Sequence, residues 1–397
     1  MLRQIAENML NKGIEENIFP GAVTNIQVGN YIDISSSSGL LSCRQNAKPT
    51  QLDSLYDIAS LTKIVATLPM ILLTIQSKKL SLNDRVVNYF PELEKNINDK
   101  RFKDITIFHL LTHSSGLPGW RPYFIKIHGS ENYKKMIFQE PLIYSVGEKI
   151  VYSDIGFMLL GFILERIWDT PLNILVREKI FKPLDMNQTG YRPLNFNNNI
   201  ATTESNNEFE KNMAVNYVDK LITNKLPQNA FSISTKEIND YKWRTGDIHG
   251  VVHDSNTYYG LNGVSGHAGL FSNIEDLKKY ILLWKDIDNN PFIDSKLLHF
   301  ATRCHANYMS IKRGLGFEKS HSGTHCSSGQ YISKEAFGHT GFTGTSIWCD
   351  PFLDTTIIVL TNRVHPKVNP NINQWRMTYH NSVVSEIVNQ RKDGVFY

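Results

Sequence analysis

Three short segments carry side chains able to cooperate in acyl transfer. Ser60-Leu-Thr-Lys63 sets a hydroxyl and an amine three residues apart, and on a helix such residues share a face. A helix N-terminus at Ser60 would add free N–H groups and a positive dipole beside the hydroxyl. A lysine buried against apolar neighbours has its pKa lowered, which makes Lys63 a candidate base for activating the serine. The plainer alternative is Ser60 as an N-cap with Lys63 solvated in the first turn, and so short a motif does not choose between them.

Tyr152-Ser-Asp154 stands before an apolar helical run, where a phenol could pass a proton between nucleophile and leaving group beside a lysine ammonium. His339-Thr340-Gly341 precedes Phe342 and a strand. Glycine there permits close approach of a substrate, and the main-chain N–H beyond it could form half of an oxyanion hole. Taken singly, these two segments read as helix packing and an ordinary turn.

The surrounding pattern supplies elements to position them. Ile5 to Asn17 has helical spacing, and Ala22 to Val28 with Tyr31 to Ser36 reads as a β-hairpin turning at Gly29-Asn30. Ile58 to Lys78 is almost wholly apolar after Lys63, the mark of a buried helix, with Pro69 expected to bend it. Helical patterns follow at Ile105 to Leu111, Tyr133 to Phe138, Ile155 to Trp168, Asn173 to Phe181 and Ile274 to Trp284. Asn195 to Asn199 and Glu204 to Asn207 are polar enough for exposed loops. Thr345 to Cys349 and Thr355 to Leu360 form a second hairpin, and a helix from Trp375 to Gln390 closes the chain. The expected architecture is α/β (α+β): an antiparallel sheet of five or more strands flanked by helices. Residues 1–80 and 246–397 build it, and the mainly helical 81–245 is inserted between them.

In this order and spacing, the three segments resemble the serine β-lactamase and penicillin-binding-protein superfamily, especially its class C β-lactamase and DD-peptidase branch. Leu110 to Pro118, Phe181 to Met186 and Gly266 to Ser272 agree with it, so the likeness spans about residues 10 to 390. It implies Ser60 as acyl-accepting nucleophile, Lys63 as its base and Tyr152 as proton relay, with the oxyanion held by the N–H groups of Ser60 and Phe342. His339 replaces the lysine of many β-lactamases, which tilts the reading away from antibiotic hydrolysis. Asp154 departs from the usual Asn; ionised, it only accepts hydrogen bonds, and near Lys63 it would favour the charged amine.

Gly116 to Pro122, Val252 to Asn256 with Gly263 to Gly269, and Leu360 to Pro366 are similar to a subgroup associated with peptidoglycan recycling, some members of which are muropeptide amidases. Arg121 or Arg363 could clamp a substrate carboxylate; a buried ion pair is the alternative for each. The expected function is therefore a serine hydrolase acting through an acyl-enzyme on a peptidoglycan-derived amide, as amidase or D-Ala-type carboxypeptidase. A carboxylesterase or weak β-lactamase, and a non-catalytic binding protein, are the rivals.

The 397 residues, 41% hydrophobic and 20% charged, exclude a disordered chain. A net charge of +4 without a dense basic block argues against a nucleic-acid partner, and the apolar runs are too short for a membrane span. No signal-peptide core is seen, so the expected location is the cytoplasm. Cys43, Cys304, Cys326 and Cys349 are widely spaced, as expected of reduced thiols. Neither Cys304-His305 with His325-Cys326 nor His253, Asp254 and His267 reads as a metal set; the latter suit a hydrogen-bonded scaffold, and no cofactor is expected. The expected partner is a small-molecule or peptide substrate, and oligomeric state is not legible.

Overall fold

A computed structural model describes residues 1–193, 199–309, 311–321 and 326–392. Eleven strands are found among them. They are β1 (Gly21–Val28), β2 (Ile32–Gly39), β3 (Tyr56–Asp57), β4 (Gly190–Tyr191), β5 (Leu270–Ser272), β6 (Ala306–Tyr308), β7 (Ile311–Arg313), β8 (Glu318–Lys319), β9 (Phe337–Thr340), β10 (Ser346–Asp350) and β11 (Thr355–Thr361). Eight form one antiparallel sheet in the order β2-β1-β11-β10-β9-β8-β7-β6. The two ends of the chain meet one strand in from its β2 edge, where Ile26 faces Ile357 and Asn25 faces Ile358.

Both faces of this sheet are covered, and the alternation of β11 shows how. Ile357 and Val359 point to the N-terminal helix Leu2–Glu15 and the C-terminal helix Ile372–Lys392, while Ile358 and Leu360 point into the main core. The Thr24 and Tyr379 hydroxyls, 2.6 Å apart, tie the C-terminal helix to β1. A smaller sheet, β3-β5-β4, was not legible in the sequence; its strands have two or three residues, too few for a period to emerge.

The predicted helix from Ile58 to Lys78 is three segments in series. A 3₁₀ turn, Ala59–Leu61, leads into a wide π-helical turn, Lys63–Thr67, and then the α-helix Leu68–Gln76. Pro69 sits in the first turn of that α-helix, where a missing N–H is tolerated, so the change of helix type precedes the proline and replaces the expected bend. Ala59–Gln76 is long and apolar enough in composition to cross a membrane, yet 78% of it is buried inside the protein as a core helix.

Glu204 to Asn207 also differs from its expected exposure: Glu204 and Asn207 are buried. Their polarity is internally satisfied, since Glu204 accepts from His253 Nε2 (2.8 Å) and the Phe209 N–H (2.7 Å), and Asn207 accepts from Arg244. Of the predicted Asn195–Asn199 loop, all but Asn199 lies outside the described residues.

Candidate active site

Ser60 stands at a strained turn. Ala59 before it takes a left-handed φ of 46°, which costs a non-glycine residue about 1–2 kcal/mol, so its surroundings must hold it there. Buried Asp57 does so, accepting from the N–H groups of Ala59 (2.8 Å) and His253 (2.7 Å). Thr343 Oγ1 donates to the Asp57 carbonyl (2.6 Å) and Thr345 Oγ1 to the Ile58 carbonyl (3.1 Å), stitching the turn after β9 onto the turn before Ser60. A Cβ on Gly341 would lie 2.5 Å from the Ile58 carbonyl oxygen, so only glycine permits this approach.

Lys63 is the electrostatic centre. Its side chain is wholly buried, and Nζ donates to Ser60 Oγ (3.1 Å), Asp154 Oδ1 (2.7 Å) and the His267 carbonyl (3.0 Å). Three acceptors engage all three ammonium protons. Burial pushes its pKa down, as the sequence suggested, but Asp154 and Tyr152 outweigh burial and the net shift is upward. Of the two influences expected from the sequence, desolvation and a nearby Asp154, the second prevails: the resting amine is charged, because a carboxylate from 91 residues away lies against it.

Tyr152 borders the same space, with the Lys63 ammonium 4.8 Å from its ring centroid. Its hydroxyl is sealed from solvent and, among the described residues, makes no hydrogen bond of regular geometry, although Lys63 and Ser60 are near enough to favour its ionised form. Burial raises its pKa against the opposing pull of Lys63, so the phenol stays protonated. His113, in the Leu110 to Pro118 stretch, positions it: the ring centroids are 4.6 Å apart, and His113 Nδ1 accepts from the Ser153 N–H (3.0 Å). Nothing in sequence spacing gave His113 that task.

His339 is buried on β9, its ring centroid 5.8 Å from that of Tyr152. Nδ1 donates to the Thr340 carbonyl (2.7 Å), and among the described residues Nε2 is left as a buried acceptor without a partner. Burial, reinforced by Lys63 and Arg313, pushes its pKa down to about 3, so His339 is neutral and supplies no positive charge where a lysine would.

Neither predicted carboxylate clamp is available. Arg121 is buried and pairs with fully buried Glu140 (3.3 Å), and its guanidinium lies over Tyr217. Arg363 is buried too, donating to the carbonyls of Phe342 (2.7 Å) and Asn369 (2.8 Å), so it holds the loop bearing Phe342 and, among the described residues, forms no ion pair. Breaking a buried pair leaves an uncompensated charge, and Glu140→Ala is expected to destabilise the fold by about 3–5 kcal/mol in urea denaturation. A loss below about 1 kcal/mol would mean that Arg121 is solvated or otherwise satisfied.

Among the other named histidines, His253 Nε2 lies 2.8 Å from Glu204 and His267 Nε2 lies 3.1 Å from Asp254, so these groups are taken up in separate pairs. The three groups close enough to share a metal ion among the described residues are Glu318, His321 and Cys326, with ligand atoms within 4.8 Å of one another. All four cysteines are free thiols, and His325 lies outside the described residues.

Ser60, Tyr152, Asp154 and Phe342 line one pocket of about 290 Å³. Thr340 and Gly341 carry the strand end that borders it, and do not line it themselves. Its far wall holds Phe209, Glu210 and Met213, from the helix Glu208–Ile222, a contribution that sequence reasoning missed. The signal was there in Phe209, Met213 and Tyr217, spaced four apart.

A hydroxyl at a strained turn beside a pocket, touched by a buried amine and faced by a phenol, can accept an acyl group and return it to water. Comparison with known proteins agrees with that chemistry. The family model described as "Beta-lactamase" matches residues 6–380. A putative D-alanyl-D-alanine carboxypeptidase of Escherichia coli (strain K12) is 32% identical over 80% of this chain and 72% of that protein. An N-acetylmuramyl-L-alanine amidase of Bacillus subtilis (strain 168) is 30% identical over 97% of this chain and 88% of that protein. Among solved structures, EstCE1, a hydrolase with promiscuous acyltransferase activity, superposes with a TM-score of 0.71 at 16% identity, covering 96% of this chain and 98% of its own. The D-amino acid amidase of Ochrobactrum anthropi SV3 gives 0.69 at 17%, covering 98% and 99%. At such identities the structures speak for the fold, whereas the family match and the two relatives place the chain itself: it belongs to the β-lactamase family of serine hydrolases.

Proposed function

We propose that this hydrolase cleaves an amide of peptidoglycan fragments through an acyl-enzyme on Ser60. The observation that carries the reading is the 3.1 Å contact between Ser60 Oγ and a fully buried Lys63 Nζ. Ser60 Oγ attacks the carbonyl carbon as its proton passes to Lys63 in the neutral form of that amine. The N–H groups of Ser60 and Phe342 receive the oxyanion, and Tyr152 protonates the departing nitrogen, breaking the C–N bond. Water then attacks the ester, giving a proton to the Tyr152 phenolate, and Lys63 returns its proton to Ser60 Oγ as the acid leaves. Two relatives whose names refer to peptidoglycan amides support the substrate class. A neutral His339 in place of a cation supports a substrate other than a β-lactam.

Mass spectrometry of muropeptide digests, with the enzyme and with Ser60→Ala, tests this. Loss of a lactyl-linked peptide is the expected product of an amidase, and loss of one D-Ala that of a carboxypeptidase. Digests unchanged by the active enzyme would contradict the reading. A carboxylesterase is the second reading, favoured by one observation: an amine held charged by Asp154 is scarce in its neutral, proton-accepting form near pH 7, and esters ask less of acid–base assistance than amides do.

A further inference from the structure

We infer that Glu318, His321 and Cys326 form a binding site for a zinc ion beside β8. None of the three lines the pocket that Ser60 borders, so this site is separate from the acyl-transfer machinery and does not depend on the proposed function.

The three groups follow one another as Glu-x-x-His-x-x-x-x-Cys, close enough in sequence for one stretch of chain to carry the set. Their ligand atoms lie within 4.8 Å of one another. His321 Nε2 is 3.7 Å from Glu318 Oε1, close to the edge of a tetrahedron built on zinc bonds of about 2.0–2.2 Å, which is roughly 3.4 Å long. The donor types decide the ion. A thiolate beside an imidazole suits zinc, whereas magnesium and calcium take oxygen ligands. Thiolate and carboxylate together carry two negative charges, which match Zn²⁺, and the Cys326 proton leaves to solvent as the Zn–S bond forms.

The surroundings fit a metal better than they fit a bare thiolate. Cys326 is wholly buried and packs with Ile332, Ala336 and Trp348, where an anion is costly unless it is paired or coordinated. Ser328 Oγ, 2.8 Å from Cys326 Sγ, can donate to the metal-bound sulfur. His321 Nδ1 is buried and, among the described residues, has no hydrogen-bond partner, so a ring nitrogen is available to an ion. Arg313 faces Glu318 across the β7 and β8 pair and acts on it through its charge, yet among the described residues the two form no ion pair. The Glu318 and His321 side chains keep 19% and 14% exposure, so an ion can reach the set from solvent. Three protein ligands leave the fourth tetrahedral position to water. Glu318 pairs with Gly338 of β9, one residue from His339, so an ion held here would brace the strand that carries His339 without entering the pocket.

Zinc titration of the full chain, free of any affinity tag and carrying Cys43→Ser and Cys304→Ser to remove the two exposed thiols, tests the inference. One ion per chain is expected, and magnesium at equal concentration is expected not to displace it. Adding Cys326→Ser or His321→Ala is expected to lower the affinity by at least about tenfold, because even the residues that support metal ligands cost about 10–100-fold when replaced. Should those variants fail to fold, cobalt in place of zinc gives a second readout: a charge-transfer band from thiolate to cobalt and the strong visible absorption of a four-coordinate ion are expected. The absence of stoichiometric binding, an affinity that neither substitution moves, or a cobalt spectrum without the thiolate band would overturn the inference.

Discussion

Lys63→Met is expected to lower kcat/KM on any substrate by about 10³-fold or more, with the fold retained. Methionine matches the length and apolar stem of lysine, so the core around the π-helical turn Lys63–Thr67 stays filled. What disappears is the group that touches Ser60 Oγ and can take its proton; residues acting as a unit with a serine nucleophile cost factors of about 10⁴ to 10⁶ when removed. The variant also strands Asp154 without its cation, so some loss of stability accompanies the loss of rate. Circular dichroism and stopped-flow acylation separate these effects. A folded variant within tenfold of wild type would show that Lys63 is not in the proton path.

Asp154→Asn is expected to act in the opposite direction. Asp154 is the strongest influence raising the Lys63 pKa, against a burial that lowers it. Removing the carboxylate takes away the largest influence opposing burial, so the neutral amine appears at lower pH. The sign follows directly: the base form accumulates above its pKa, and wild-type kcat/KM should climb through neutral pH into the alkaline range, while the variant reaches its plateau earlier. Near pH 7 a gain of at most about tenfold for each pKa unit is expected, since the weaker base offsets part of the larger neutral fraction, measured with a chromogenic cephalosporin or ester. A loss on every substrate would instead make Asp154 the final acceptor of a proton handed on by Lys63.

Much of the site was readable because it is local. Ser60 and Lys63 share one turn, and the apolar run after them announces a buried helix. The two hairpins showed themselves by alternation, and their pairing through β1 and β11 follows from β-strands at both ends of the chain. What could not be read is set by contacts between distant segments. The charge on Lys63 depends on Asp154, the release of Arg121 as a clamp is prevented by Glu140, and the buried Glu204 to Asn207 stretch depends on His253 and Arg244. In each case a polar side chain met a partner that spacing does not reveal. The wide turn before Pro69 is similar: its composition is that of any apolar helix, and only packing selects it.

The central claim is that Ser60 alone accepts the acyl group, and covalent labelling reads it directly. After exposure to a fluorophosphonate, peptide mapping by mass spectrometry is expected to find a single adduct, on Ser60, absent in Ser60→Ala and slowed in Lys63→Met. An adduct on another residue, or no adduct on a folded enzyme across the alkaline range where Lys63 loses its proton, would contradict the account.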